Sequence, residues 1–345
     1  MDLDAALALV LSRCANAEVP AGRFPVWADG EGRWQTSGPD HWAAGFATGA
    51  RWLADVCGFA TAAAPVPSVT EDVEISSFHA FTGWYAGGLS SAGERVAQRL
   101  AGALLPGGAL AVTEGDLRAG QGQAVAYVDA VGPAAALLAA HVDVELGARH
   151  AQWTLRMLQE ADGSLLQCTS VDLRTGESLD VYTAAQGYGR SSRWSRAQAW
   201  GLVGAAMAPP GSVGAEGRAL ADWWLATAPR TAAPPWDFDA PSGGPVDTSA
   251  GAIAAAAFLR LAGYEEGGRA DAYRRAGFEL VRALLEHVDA TGALRDGCYH
   301  LPAGLAPANE LVWGDYYLAE ALALATGALS PSSAPGQRRP PARPA

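Results

Sequence analysis

The residue types best suited to chemistry are concentrated in one segment, TAAQGYGRSSRWSRAQAWGLVG, which spans residues 183–204. A Gln-Gly-Tyr-Gly turn opens it, and an apolar run closes it. The pattern predicts a helix beginning near Trp194, with Ser191 or Ser192 as its N-cap.

On this predicted helix Arg196 and Trp200 are four residues apart, so they share a face. A guanidinium beside an indole suits an anionic, ring-shaped ligand, because the fork binds a carboxylate and the indole covers a ring face. The alternative is that Trp194 and Trp200 are core aromatics and that Arg196 pairs with an internal carboxylate.

Asp129 is a second candidate, because it is the only acid in the run AVAYVDAVGPAAALLAA. Burial raises the pKa of a carboxyl group toward neutrality, where it can serve as a general acid or base. An isolated acid in such a run is either a buried functional group or a helix cap ahead of Gly132-Pro133.

Composition narrows the functional classes. Of 345 residues, 50% are hydrophobic and 17% are charged, which allows a substantial core in one large domain or two ordinary ones. The net charge of −12 argues against a nucleic-acid partner. Four scattered cysteines with no metal-ligand spacing predict buried thiols in a reducing compartment and neither metal nor cofactor.

The N-terminal run MDLDAALALVL has acidic flanks and no basic region, so it does not resemble a signal peptide. No uncharged apolar stretch is long enough to predict a membrane span. These features predict a cytoplasmic protein with no membrane contact, and they indicate no oligomeric state.

Hydrophobic periodicity predicts eleven or twelve helices, paired head to tail. This fits one all-helical domain, either a closed double ring or an irregular bundle. Segment 71–85 is ambiguous, residues 20–38 are predicted to be a loop, and a short hairpin is predicted to turn at Arg174-Thr-Gly176. Ten of these helices are predicted at 2–17, 41–56, 89–105, 124–140 with a kink at Gly132-Pro133, 143–158, from Trp194 onward, 215–228, 248–262, 267–288 and 310–326.

Several motifs in order resemble a known family. Gln186-Gly187 followed by Trp194-Ser-Arg196-Ala-Gln198-Ala-Trp200-Gly201 resembles the QG…WARGQAWG signature of the unsaturated glucuronyl hydrolases, glycoside hydrolase family 88. Ala197 stands where that family usually has glycine. Other segments that resemble the family are WAAGFATG at 42–49, YVD at 127–129, WDFDAP at 236–241, DTSA at 247–250 and WGDYY at 313–317.

The resemblance implies an all-α fold, an (α/α)6 barrel of six helical hairpins with short β-hairpins in the loops. Residues 1–328 would form a single catalytic domain, and the Pro-rich segment 329–345 would be a disordered tail. Asp247 and Asp315 are expected to cap helices and tie loops, and Gln167 to be polar lining.

The resemblance also implies an activity on oligosaccharides whose terminal uronic acid carries a C4–C5 double bond left by a polysaccharide lyase. Asp129 would act as general acid and base: it protonates C4, water adds at C5, and the hemiketal collapses. The implied partner is the unsaturated uronic-acid oligosaccharide, held by Trp42, Gln186, Arg196 and Trp200.

One family motif, HD.GF, is not clearly present. If Ser77-Phe78 corresponds to its end, Glu74 and Ile75 occupy the His and Asp positions, and Glu74 becomes the candidate for a second catalytic carboxylate, with Asp72 or His79 as substitutes. Pro133 also replaces a family Asn. These departures leave two alternatives open: a catalytically altered sugar-binding relative, and an unsaturated rhamnogalacturonyl hydrolase.

Overall fold

The computed structural model describes residues 2–59, 61, 66–112 and 122–337. Helices dominate these residues, and the short strands lie in the connections between them. The α-helices are α1 Leu3–Ala15, α2 Ala44–Val56, α3 His79–Thr82, α4 Ser91–Gly102, α5 Val131–His141, α6 Val144–Leu158, α7 Ser195–Met207, α8 Gly214–Thr227, α9 Thr248–Leu261, α10 Gly267–Leu285 and α11 Val312–Ala325. The strands are β1 Phe24–Ala28, β2 Trp34–Ser37, β3 Gln123–Tyr127, β4 Cys168–Asp172, β5 Ser178–Tyr182 and β6 Glu310–Leu311.

Six helices form a closed inner ring, in which each one contacts the next: α2, α3 with the π-helical turn that continues it through Gly87, α5, α7, α9 and α11. Helices α1, α4, α6, α8 and α10 pack around the outside. This is an α/α barrel, which confirms the predicted fold class. The described part of residues 57–78, between the inner helices α2 and α3, contains no helix.

Helix α9 of the inner ring is built largely from small side chains. In α9 every residue from Thr248 to Arg260 is buried, because other helices cover it on all sides. Alanine, glycine, serine or threonine at nine of these 13 positions lets the helices approach closely without leaving voids. In α2, a Cβ added at Gly45 would lie 2.9 Å from the Cα of Thr82 in α3. This explains why the sequence tolerates glycine inside a helix there.

The strands form two small antiparallel sheets, ordered β2-β1-β6 and β3-β4-β5. The hairpin of β4 and β5 confirms the prediction, and Gly176 adopts a φ of 71° in its turn. Two predictions are corrected: part of the expected loop 20–38 is the hairpin of β1 and β2, and the expected helix 124–140 begins as strand β3. Pro133 lies in the first turn of α5, where its missing N–H is not needed.

The expected disordered tail is also corrected in part. Arg260 donates to the carbonyls of Pro331 (2.5 Å) and Ser333 (3.1 Å), and Leu329 is buried. Residues 329–337 are therefore packed onto the barrel, while residues 338–345 lie outside the described residues. Within the described ranges, no helix has the length and apolarity needed to cross a membrane.

Candidate active site

The predicted site residues lie near the N-terminal ends of inner helices. Trp42 lies two residues before α2, Asp129 two residues before α5, and Arg196 is the second residue of α7. Asp247 is the N-cap of α9, and Trp313 is in the first turn of α11. Because each outer helix returns the chain to the same end, these positions gather at one mouth of the barrel. Helix N-termini carry partial positive charge, which favours an anionic ligand at this mouth.

Strand pairing brings Asp129 next to Gln167. Tyr127 of β3 pairs with Cys168 of β4, and the N–H of Val128 donates to the carbonyl of Gln167 at 2.9 Å. The Gln167 amide then donates from Nε2 to Oδ2 of Asp129 at 3.2 Å. The predicted polar lining residue is thus a direct partner of the predicted acid.

The Asp129 carboxyl group has the properties of a general acid. It is 8% exposed, and burial raises its pKa to about 6. The hydrogen bond from Gln167 and the positive charge of Arg196 oppose this rise, since both stabilise the ionised form. A carboxyl group with this pKa can both give and accept a proton near neutral pH.

Gln186 joins the same hydrogen-bonded chain. Its Oε1 accepts from Gln167 Nε2 at 3.3 Å, and its Nε2 donates to the carbonyl of Tyr299 at 3.4 Å. The side chain is half-buried. The structure therefore brings together Asp129 and Gln186, which are far apart in sequence.

Arg196 has a different role from the predicted one. It is 2% exposed, and its NH1 donates to Oδ2 of Asp247 at 2.6 Å and to the carbonyl of Cys298. Its NH2 donates to the carbonyl of Tyr299 at 2.5 Å. Because protein acceptors occupy both ends of the fork, Arg196 is not free to bind the carboxylate of a ligand. Asp247 caps α9 and ties the loop at Cys298, as predicted.

The start of α7 also differs from the prediction. The helix begins at Ser195 without a side-chain cap. Ser192 instead donates from Oγ to Oδ2 of Asp237 at 2.6 Å, and the same oxygen of Asp237 accepts from the N–H of Tyr188 at 2.9 Å. Asp237 therefore holds the turn that carries Gln186.

The two predicted sugar-binding tryptophans are not equivalent. Trp42 is half-buried and lies in an aromatic cluster, with ring centroids 4.7 Å from Trp313 and 6.4 Å from Tyr299. Trp200 is 2% exposed and packs against Phe81 at 5.1 Å. Trp42 can offer a face to a ligand, whereas Trp200 is a core residue, which corrects its predicted role.

Glu74, the predicted second carboxylate, is exposed, and so is Asp72. Its segment does pass close to the acid, because the ring of Phe78 lies 5.3 Å from that of Tyr127. His79 is buried and accepts the N–H of Ser76 at its Nδ1 at 2.9 Å. An exposed carboxyl group stays in contact with water and does not form a buried pair with Asp129. The structure therefore does not support Glu74 as a second catalytic carboxylate.

Tyr299 is the site residue that the sequence did not indicate. Its carbonyl accepts from both Gln186 and Arg196, and its half-buried ring packs edge-on against Trp313 at 5.1 Å. It lies in the connection between the outer helix α10 and the inner helix α11, outside the motifs that resemble the family.

The fold and the site define an α/α-barrel protein with a buried carboxyl group at the mouth formed by the N-terminal ends of its inner helices. No protein-family model matches the chain. Sequence comparison relates it to an unsaturated glucuronyl hydrolase from Bacillus sp. strain GL1, 31% identical over 187 residues, which cover 50% of this chain and 49% of that protein. An unsaturated chondroitin disaccharide hydrolase from Streptococcus agalactiae is 30% identical over 175 residues, 47% of this chain and 44% of that protein.

Solved structures share this fold over a longer stretch of the chain. The unsaturated glucuronyl hydrolase from Bacillus sp. GL1 superposes with a TM-score of 0.79 at 22% identity, covering 93% of this chain and 96% of that one. An unsaturated glucuronyl hydrolase specific for heparin superposes with a TM-score of 0.76 at 20% identity, covering 94% and 97%. In sequence, the matched region spans about half the length of the curated relatives. The comparisons confirm the predicted resemblance to the unsaturated glucuronyl hydrolase family.

Proposed function

We propose that this protein hydrolyses oligosaccharides that end in an unsaturated uronic acid, with Asp129 as the acid and base. The observation that carries the proposal is the state of Asp129: a carboxyl group with a pKa of about 6, buried at the barrel mouth and hydrogen-bonded to Gln167. Gln186 is one hydrogen bond further along, and Trp42 lies against Tyr299 at the same mouth.

The names of the relatives support the substrate class. They include an unsaturated glucuronyl hydrolase and an unsaturated chondroitin disaccharide hydrolase. A mutant of the Streptococcus agalactiae glucuronyl hydrolase, which matches this fold, was crystallised in complex with dGlcA-GalNAc6S. Arg196 is paired with Asp247, so it does not supply the positive charge for a sugar carboxylate. The N-terminal ends of the inner helices at the mouth supply partial positive charge instead.

The proposed reaction is a hydration. Protonated Asp129 gives its proton to C4 of the C4–C5 double bond, and positive charge develops at C5 and the ring oxygen. Water attacks C5 and loses a proton to the Asp129 carboxylate, so the acid is regenerated. The hemiketal at C5 then opens to a ketone, which leaves a hemiacetal at C1. That hemiacetal breaks down to an aldehyde and releases the neighbouring sugar as an alcohol. One group that alternates between acid and base is sufficient, so the exposed position of Glu74 does not prevent the reaction.

The test is a loss of ultraviolet absorbance from lyase-generated disaccharides, because hydration removes the double bond that absorbs. Wild-type protein is expected to abolish the absorbance, and Asp129→Asn to leave it unchanged. Asp222→Asn, at a carboxylate in an exposed ion pair with Arg269, is the matched control and should behave as wild type. Unchanged absorbance with wild-type protein across glucuronyl and rhamnogalacturonyl substrates would overturn the proposal.

A sugar-binding protein without turnover is the second candidate. It is favoured by the exposure of both Glu74 and Asp72, which leaves Asp129 without a buried carboxyl partner from that segment. This candidate predicts that unsaturated disaccharides raise the melting temperature while their absorbance stays constant. The same samples distinguish the two functions.

A further inference from the structure

Gln167 lies at the centre of the site and is 1% exposed. Its side-chain oxygen accepts the N–H of Ala184 at 3.2 Å, and its side-chain nitrogen faces Asp129 and Gln186. We propose that Gln167 is a positioning residue that holds the Asp129 carboxyl group and the Gln186 amide in one fixed arrangement. This inference rests on the proposed function only for its catalytic consequence.

The orientation of the Gln167 amide follows from its partners. The backbone N–H of Ala184 can only donate, so it must face the oxygen of the amide. The nitrogen is then forced toward Asp129 Oδ2 at 3.2 Å and Gln186 Oε1 at 3.3 Å. The backbone of Gln167 adds a further tie, because its carbonyl accepts the N–H of Val128. The amide therefore cannot turn over without losing several hydrogen bonds.

A fixed donor has a specific effect on Asp129. The nitrogen lies closer to Oδ2 than to Oδ1, at 3.2 Å against 3.5 Å. Donation to Oδ2 favours placing the proton of the neutral acid on Oδ1, because a protonated oxygen is the poorer acceptor. The same donation stabilises the ionised form, so it keeps the carboxyl group able to return as a base. A glutamine does this at every pH, since its amide does not titrate.

Gln167 also determines which end of the Gln186 amide is available to a ligand at the mouth of the barrel. Because the oxygen of Gln186 accepts from Gln167, its nitrogen points toward the carbonyl of Tyr299. A half-buried amide held in this way offers N–H to the mouth of the barrel. An N–H suits an oxygen of a carboxylate or hydroxyl group, which agrees with an acidic sugar as the ligand.

The positive charge of Arg196 also acts on Asp129, and it does so independently of Gln167. Among the residues that the structure describes, Arg196 of α7 is the charged group that lowers the pKa of Asp129, and it is held by Asp247 and by the carbonyls of Cys298 and Tyr299. Replacing Gln167 leaves this ion pair in place. An altered titration of Asp129 can therefore be assigned to the lost amide.

The decisive measurement is the titration of the Asp129 carboxyl carbon by NMR, assigned with Asp129→Asn, which needs no substrate. In Gln167→Met, which keeps the length of the side chain, we expect the pKa of Asp129 to rise by about one pH unit, because a hydrogen bond to the charged form is lost. Gln159→Met is the matched control, since Gln159 donates to Gly163 and Glu216 carbonyls away from the site and should leave the titration unchanged. If Gln167→Met does not fold, Gln167→Asn, whose shorter amide cannot span the same partners, tests the same point.

An unchanged titration in a folded Gln167 variant would overturn the inference, whether or not the protein is an enzyme. A raised pKa in a protein without turnover would uphold the role of Gln167 and reject the proposed hydrolase. With turnover, the pH at which the rate falls should move upward together with the titration, and the rate constant at saturating substrate should decrease. A merely structural glutamine would lower stability without moving either pH dependence.

Discussion

Arg196 and Asp247 form a buried ion pair that joins the start of α7 to the start of α9, with NH1 and Oδ2 2.6 Å apart and both side chains at most 2% exposed. Arg196 also donates to the carbonyls of Cys298 and Tyr299, and the second oxygen of Asp247 caps α9. Protein groups therefore hold both terminal nitrogens of Arg196 and both oxygens of Asp247. The pair fixes the loop that contains Tyr299, and the carbonyl of Tyr299 also accepts a hydrogen bond from Gln186.

Removing one partner of this pair should strongly destabilise the fold. Arg196→Met leaves the carboxylate of Asp247 buried without its cation, so we expect the free energy of unfolding in urea to fall by about 3–5 kcal/mol. Arg230→Met is the control, because its pair with Glu279 is exposed and should be worth less than about 1 kcal/mol. Equal small losses in both variants would show that Arg196 is not held as described.

Trp42 and Trp200 should respond in opposite ways. Trp42→Leu removes a half-buried ring at the mouth, so it should weaken the binding of an unsaturated disaccharide about tenfold or more, with a modest loss of stability. Trp200→Leu creates a cavity against Phe81 and should cost about 3 kcal/mol of stability. Calorimetric titration and urea unfolding of both variants separate the two effects. A greater loss of affinity in Trp200→Leu than in Trp42→Leu would contradict the assignment.

Periodicity was sufficient to predict the long helices, and the family resemblance selected the barrel over an irregular bundle. Periodicity failed at residues 124–127, because a short apolar run with valine fits a buried strand as well as a helix, and only pairing with β4 decides between them. Pro133 was taken as a kink inside a helix, and it lies in the first turn instead. The hairpin of β1 and β2 was missed because its partner β6 lies near the other end of the chain.

Asp129 and Gln186 were predicted as site residues because each lies in a segment that resembles a family motif, and the structure links them through Gln167. The pairing of Arg196 could not be read from local spacing, because Asp247 is 51 residues away in sequence. The choice between a ligand-binding and a structural arginine depends on which acceptors fold against it. For the same reason the sequence alone could not tell that Trp200 is covered by Phe81 and Tyr317 while Trp42 stays partly open.

The raised pKa of Asp129 predicts a definite pH dependence. In the proposed reaction turnover requires protonated Asp129, so the rate at saturating substrate should fall as pH rises through about 6. The folded state also holds this proton more tightly than the unfolded chain, so its stabilising effect is complete below the ordinary carboxyl pKa and is lost above pH 6. Asp129→Asn should therefore be inactive and, at pH 7, more stable than wild type by up to about 3 kcal/mol. A rate that rises with pH above 6 would contradict the role of general acid.

His150 should produce the opposite dependence of stability on pH. Burial lowers its pKa from 6.5 to about 4, its Nδ1 lies 2.9 Å from the carbonyl of Gly108, and its Nε2 has no hydrogen-bond partner among the residues that the structure describes. The unfolded chain binds the proton first, so stability should fall by about 1.4 kcal/mol per pH unit as pH drops from 6.5 toward 4.

Asp129 acts in the reverse sense between about pH 4 and 6, so the effect of His150 has to be isolated by difference. His150→Leu should lose stability at pH 7, because a hydrogen bond and packing are lost, yet the gap to wild type should narrow on acidification by up to about 3 kcal/mol. Urea unfolding at pH 7, 6, 5 and 4.5, repeated in the Asp129→Asn background to remove the opposing carboxyl group, measures this gap. A gap that stays constant with pH would mean that His150 is not held neutral in the folded protein.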